Sequence, residues 1–535
     1  MTTKSKFIYT FLLTLLTLFF LKTDYRMIET IYPGADDGDN YMHATTIGID
    51  FDLDYTNQLK GVEDIRYDRN GKIAPTAFIG SGFLSSPMVA IGSLLTSITD
   101  NEQKIFNYII LFYSLSGYLY LVLTLSIIIT LKRFFKINLS NLFICILVLS
   151  SGVSYYVFER YSISHIFEIF TTSLVIFASF NYFDKGKKIF AALIPLSILL
   201  GILVKWTNYY LFIIPASIKL IYFSNENIRL RKNKYFLFST ILSIIVFFLH
   251  TKFLYGIFTI NPGISYEQDA VEILDTYLFS NFNLINEITR FIKSIIIILF
   301  SSEFGLSWFS TINSIGFVLL FYFIVNSLIK KQIKNFIGYC LLFFGYISIF
   351  YIIHLWESTA SSYGFRYSFC LTPISLIIFF DFYKNYKINR KILNILLLLC
   401  IFSIGGTLFF ETHPLTQLSL EPALNSWGQF NTYSQKYYLS GYIISLFSFT
   451  SYQIIIATSF LFVYFLKILL LFLDLERLLF HFSKFGLPSE NEDFINLIQN
   501  IEKINLTSLI VLFILIFSIN YFLFNMSSKN NNILK

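Results

Sequence analysis

Charge is what this chain has least of. Only 14% of its 535 residues are Asp, Glu, Lys or Arg, against about 25% in an ordinary soluble domain, so no soluble domain of usual size is expected. Cysteine is scarce as well. Cys145, Cys340, Cys370 and Cys400 all fall inside apolar runs without paired spacing, which argues against a disulfide framework or a zinc site. No internal repeat, direct or inverted, is visible, and with it goes a common mark of a secondary transporter. The formal charge of +7 does not point to nucleic acid, because the basic residues sit in short loops between apolar segments.

Apolar residues fill the rest: 55% of the chain is hydrophobic and 19% aromatic. Runs of about 20 apolar residues, the length that crosses a bilayer, recur from end to end. The expected fold class is all-α, a polytopic transmembrane helical bundle of about thirteen spans. They are placed near 7–22, 105–131, 138–157, 163–183, 188–204, 208–223, 235–255, 309–329, 335–353, 366–383, 391–409, 450–473 and 506–524. Lys4 and Lys6 precede the first run, and Leu21-Lys22-Thr23-Asp24 offers no small residues for cleavage, so an uncleaved signal anchor is expected.

With the N-terminus in the cytoplasm, every second loop should be basic. Those loops carry Lys132/Arg133/Lys136, Lys185/Lys187/Lys188, Arg229/Arg231/Lys232/Lys234, Lys330/Lys331/Lys334 and Lys384/Lys387/Arg390/Lys391. Three longer loops fall on the other side, at 23–104, 255–308 and 411–441. The core is therefore read as residues 1–473. A cytoplasmic amphipathic segment follows at 474–505, broken at Gly486 and Pro488, then a final helix and short polar tail at 506–535. Residues 291–300 are apolar but short, and 79–88 (Ile79-Gly80-Ser81-Gly82-Phe83-Leu84-Ser85-Ser86-Pro87-Met88) are broken by glycine and proline. Both are expected as interfacial segments rather than spans.

The first outer loop concentrates carboxylates. Asp36-Asp37-Gly38-Asp39 places three acids together, an arrangement suited to a general base or to oxygen ligands for a divalent cation. Asp50, Asp52 and Asp54 alternate with Phe51, Leu53 and Tyr55, which in an extended segment would put the acids on one face. The bland reading is a solvated acidic loop. Cations stand opposite at the outer ends of spans: Arg160 beside Glu159, Lys205 before Trp206, and Arg366 between Phe365 and Tyr367. Arginine and lysine at membrane depth snorkel to lipid phosphate or clamp an anionic head group. Glu159, His165, Glu303, His354 and Glu357 are polar groups at the same level and join the candidates as supporting residues.

Together these stretches bear a family resemblance. Asp37-Gly38, Tyr41, Asp52-Leu53-Asp54-Tyr55-Thr56-Asn57 and Ile79-Gly80-Ser81 with Leu84-Ser85-Ser86-Pro87 resemble the first outer loop of bacterial GT-C-type glycosyltransferases. These are relatives of protein mannosyltransferases and of the aminoarabinose transferase of lipid A. Glu303-Phe304-Gly305-Leu306-Ser307-Trp308, and Trp356 with Ser362-Tyr363-Gly364-Phe365-Arg366-Tyr367, also fit. The matching motifs amount to roughly fifty residues, a superfamily-level likeness.

The resemblance implies a GT-C-like bundle whose first loop holds short interfacial helices. It implies an enzyme of a bacterial cytoplasmic membrane, acting on the outer, periplasmic face. A sugar would pass from a polyprenyl-phosphate donor to a glycan or lipid acceptor with inversion. Asp37 would be the base, with Asp36 and Asp39 as supporting carboxylates or divalent-metal ligands, and Arg366, Lys205 and Arg160 would hold the donor phosphate. Protein mannosyltransferases carry Asp-Glu where this chain has Asp-Asp-Gly-Asp, a departure at the base itself. Competing readings are a polysaccharide polymerase or ligase acting on lipid-linked glycans, a transporter or lipid flippase, and a scaffold without catalysis. The early position of the acidic loop disfavours the polymerase or ligase, and the near absence of charge at span centres disfavours the transporter.

Overall fold

The computed structural model describes residues 36–59, 67–69, 71–96, 102–158, 161–224, 226, 230, 233–260, 284–300, 305–356, 365–386 and 388–409. Helices dominate, and a single hairpin (β1, Asp68–Arg69; β2, Lys72–Ile73) is the one strand pairing among the described residues. Helix α1 (Asp36–Thr45) runs into a π-helical turn at Thr46–Asp50 and is followed, past the hairpin, by α2 (Gly80–Thr96). Next come α3 (Glu102–Phe135), α4 (Asn141–Val148), α5 (Ser154–Phe158), α6 (His165–Lys185), α7 (Lys188–Val204) and α8 (Ile214–Tyr222). The remainder are α9 (Lys234–Tyr255), α10 (Leu284–Phe300), α11 (Leu306–Phe309), α12 (Thr311–Ile329), α13 (Ile333–Trp356), α14 (Thr372–Asn385) and α15 (Arg390–Phe409).

Five segments among the described residues are long and apolar enough to cross a bilayer: Phe112–Phe135, His165–Lys185, Lys234–Tyr255, Thr311–Ile329 and Ile333–His354. Their surfaces agree with a lipid surround. Helix α9 leaves Phe238, Ile241, Ile244, Ile245 and Leu249 exposed, and a helix apolar all round yet uncovered by protein needs an apolar solvent. Helix α6, by contrast, is buried almost throughout its length and forms the centre of the bundle. The spans expected at 7–22, 450–473 and 506–524, the loop 411–441 and the segment 474–505 lie outside the described residues.

Local chemistry sets the helix ends. Ser140 caps α4 by accepting from the Phe143 N–H at 3.1 Å, and the Asn233 side chain accepts from Tyr235 N and Phe236 N at the start of α9. Pro215 and Pro373 stand in the first turns of α8 and α14, where a missing N–H costs nothing. The basic clusters sit where one helix hands over to the next. Lys132, Arg133 and Lys136 close α3, Lys185, Lys187 and Lys188 join α6 to α7, and Lys330, Lys331 and Lys334 join α12 to α13. Followed through the alternating helix directions they gather at one end. Asn233 Nδ2 donates to Tyr182 Oη at 3.2 Å and Lys334 Nζ to Ser224 O at 3.3 Å across that end.

The glycines and proline of the segment 79–88 do not break it. It forms the first half of a continuous helix, α2, packed on α1 and α3 with Gly80, Ser81, Gly82, Ser85, Ser86 and Gly92 buried. Phe83, Ile91 and Leu94 are exposed, at 55%, 37% and 72%, while the small residues face protein beside Leu84, Met88 and Val89. The glycines are contact surface rather than breaks. A Cβ on Gly82 would lie 2.2 Å from His43 Cβ, and one on Gly48 2.6 Å from Ser86 O. Pro87 removes the N–H that would reach Phe83 O, and Ser86 Oγ donates to that carbonyl instead, at 2.9 Å.

Further details refine the expected pattern. Asp50, Asp52 and Asp54 lie in turns, not on an extended face. Asp52 Oδ1 accepts from Asp54 N at 3.0 Å, and Asp54 Oδ1 accepts from Thr56 N at 3.0 Å and Thr56 Oγ1 at 2.7 Å. These bonds from Thr56, backbone first, hold the Asp54 carboxyl below its ordinary value. The span expected at 138–157 is broken at Gly152, whose φ of 86° lies in the left-handed region. Residues 291–300, expected as a re-entrant or interfacial segment, are the second half of helix α10.

Replacing Gly82 by Val should lower the thermal midpoint of the detergent-solubilised protein by several degrees, because overpacking costs about 1–3 kcal/mol. Phe83→Leu, on the exposed face, should leave it within a degree or so. Equal effects would mean that α2 does not dock through its glycine face.

Candidate functional site

Two polar constructions occupy the end of the bundle opposite the basic clusters. The first fastens the first loop. Asp39 is buried, and its carboxylate accepts from Tyr67 Oη at 3.1 Å, Thr76 N at 2.9 Å, Ala77 N at 2.8 Å and Thr76 Oγ1. The carbonyls of the same two residues are taken up from other directions. His43 Nε2 lies 2.9 Å from Ala77 O, and Tyr255 Oη donates to Thr76 O at 3.1 Å and Ala77 O at 3.2 Å. Since a carbonyl can only accept, His43 carries its proton on Nε2 and accepts at Nδ1 from Tyr55 Oη, 2.7 Å away. Burial holds this imidazole down at about 4, against the raising effect of the Ala77 bond.

The second construction surrounds Glu168, in the first turn of α6. Its side chain is fully buried, and one oxygen, Oε1, gathers three neighbours: Ser164 Oγ at 2.8 Å, His165 Nδ1 at 2.9 Å and Lys205 Nζ at 3.8 Å. Lys205 stands in extended backbone (φ −158°, ψ 128°) between α7 and the 3₁₀ helix Trp206–Ile213. Asn208 pins that bend by donating from Nδ2 to Gly201 O at 2.9 Å. The ammonium of Lys205 lies 4.2 Å from the centre of the Tyr367 ring, and the Arg366 guanidinium lies 5.3 Å from the same ring. Both are cation–π distances.

Arg366 and Tyr367 are placed by the break at Gly152. The ring of Phe369 packs on that bare backbone, where a Cβ would meet its Cζ at 2.5 Å. This seats the 3₁₀ segment Arg366–Leu371 against the turn. A 3₁₀ stretch leaves carbonyls exposed. Those of Ser368 and Cys370 are satisfied by Asn313 Nδ2 at 3.0 Å and Tyr210 Oη at 3.2 Å. Phe369 and Tyr156 also wall the His165 ring, at 6.0 and 4.5 Å between centres.

The two constructions are neighbours. Asn40 Nδ2, from α1, donates to Ser162 O at 2.9 Å, two residues before Ser164, and Tyr113 contacts both Tyr41 and Tyr161 edge-on. Asp36 and Asp37 lie at the start of α1, as helix N-terminal acids. Of the candidates named from sequence, Lys205, Arg366 and His165 come together. Asp39 is adjacent but committed to the loop. His354 is elsewhere, buried with Ser294 Oγ 2.6 Å from its Nδ1. Glu159, Arg160, Glu303 and Glu357 lie outside the described residues.

Glu168 was not among the candidates. Its signal was present, as a hydroxyl at 164 and a histidine at 165 on the same helical turn as an acid inside an apolar run. Among the described residues no three His, Cys, Asp or Glu side chains come together as a metal-ligand group. No family model, no curated protein and no solved structure matches the chain.

The His43 bond pattern predicts a pH dependence. Above the unfolded-state value of 6.5 neither state binds a proton, and the loop attachment is at full strength. As pH falls from there toward about 4, the unfolded chain takes up a proton that the folded one does not, and stability is lost. The thermal midpoint should therefore decline across that window, and His43→Gln, which keeps a donor and an acceptor without titrating, should flatten the decline. Parallel curves for the two proteins would remove His43 as the source.

Proposed function

We propose that the chain is a membrane glycosyltransferase of the GT-C type, with about thirteen spans, moving a sugar from a polyprenyl-phosphate donor to a glycan or lipid acceptor at the outer face of a bacterial cytoplasmic membrane. The observation that carries the reading is the meeting of Lys205 and Arg366 on one aromatic ring, beside a helix that begins Asp36-Asp37. Two cations drawn from distant parts of a charge-poor chain to one membrane-level site are expensive to hold there. A phosphate whose lipid tail stays in the bilayer gives them a purpose.

In this reading the acceptor's O–H or N–H proton passes to the Asp37 carboxylate while the acceptor lone pair forms the new bond to the anomeric carbon. The bond from that carbon to the phosphate oxygen breaks, and its electron pair leaves with the lipid phosphate. The charge that develops there faces Lys205 and Arg366, which stabilise the departing group. Attack opposite the leaving group inverts the anomeric centre, as in inverting hydrolysis with the acceptor in place of water. Asp39 serves by fixing α1 to the loop. Its hydrogen bonds to Tyr67, Thr76 and Ala77 make it a poor fit as a metal ligand, and no step here passes through a metal.

Asp37→Asn should reduce transfer from a polyprenyl-phosphate sugar by about a hundredfold or more while leaving membrane insertion intact, measured on reconstituted protein with the donor and acceptor identified by lipid and glycan profiling of a deletion strain. Full activity in that variant removes the base assignment. Arg366→Ala should raise the donor KM by about tenfold, the loss expected of one charge-assisted contact. An unchanged KM with normal turnover would take Arg366 out of the clamp.

A further inference from the structure

The carboxylate of Glu168 is placed in a way that packing alone does not explain. It lies inside an apolar span with no exposed surface, where an uncompensated charge is costly. It does not close a capping box, because no side-chain bond caps the first turn of α6; Ser164 donates to Glu168 rather than to the helix. All three polar neighbours converge on Oε1, while Oε2 is buried without a hydrogen-bond partner.

The geometry at Lys205 supplies the reason. Its ammonium is 3.8 Å from Oε1 and 4.2 Å from the Tyr367 ring centre, close enough to be held by the field of each. Yet Nζ, itself buried, makes no hydrogen bond among the described residues; the 11% exposure of the side chain lies on its other atoms. The lysine is oriented without its N–H donors being consumed. A lysine on a flexible stem normally loses such an orientation to rotamer freedom.

We propose that Glu168 is the positioning residue of the phosphate clamp. Held by the Ser164 hydroxyl and flanked by His165, it fixes the Lys205 ammonium beside Tyr367, so that its charge and unconsumed N–H groups are available to the phosphate of the lipid donor when the donor enters. The inference rests on the donor reading given above.

The test compares binding of a polyprenyl monophosphate with binding of the matching uncharged polyprenol, on the full-length protein in lipid nanodiscs by native mass spectrometry. The wild type should prefer the phosphate; equal affinity for the two would overturn the donor reading and this proposal with it. Given that preference, Glu168→Gln should weaken phosphate binding by about tenfold and leave polyprenol binding unchanged. In a Lys205→Met background, Glu168→Gln should have no further effect. Unchanged or tighter phosphate binding by Glu168→Gln, as simple removal of a negative charge near the clamp would give, overturns the positioning role while leaving the donor reading standing. So does a further loss in the Lys205→Met background. If Glu168→Gln alone does not fold, the double variant, which removes both charges, carries the test. Affinity equal to that of Lys205→Met supports the role, and lower affinity overturns it.

Discussion

The peptide groups of Thr76, buried, and Ala77, half-buried, must be satisfied within the protein, and Asp39 meets both of their N–H groups with one carboxylate. His43 and Tyr255 then take the carbonyls of the same pair. Three side chains, two from α1 and one from α9, are thus fixed by one short run of backbone. Helix α2 starts three residues beyond Ala77, so its entry point into the bundle depends on this knot. The acidic start of α1 is located by the same bonds. A buried polar network of this kind rigidifies when every member is paired and fails when one is left over.

The same constraint shapes the bundle interior. A chain in lipid has no solvent to repair a broken hydrogen bond, and each irregularity here has its own compensation. Ser86 answers for Pro87, Asn208 holds the bend after α7, and Asn313 with Tyr210 covers the 3₁₀ carbonyls. The irregular places are also where the polar residues collect. Gly152, Lys205 and Arg366 each mark a departure from regular helix, and the cluster around Glu168 lies among them.

Much of this was legible beforehand. The five helices long and apolar enough to cross a bilayer fall on apolar runs, and Lys205, Arg366 and His165 stood out because polar residues at span ends are few. Glu168 did not, since an acid in a first helical turn looks like ordinary dipole compensation, and only the fold brings Lys205 to it. Asp50, Asp52 and Asp54 misled for a definite reason. An aspartate that bonds the N–H two residues on repeats with a step of two, the same step as a strand. The glycines and proline of α2 misled because small residues read as breaks in water, whereas between helices in lipid they are the surfaces of closest approach.

Helix α2 carries one more consequence, for the order in which the chain takes shape. Its inward face, glycine and serine beside Leu84, Met88 and Val89, is seated on α1 and on α3. Because α3 ends at Phe135, that seat does not exist until the chain has been made well past α2 itself. During synthesis the small-residue positions of the segment have nothing yet to pack against. Its docking is a late event in the birth of the protein, although its residues are among the early ones to emerge.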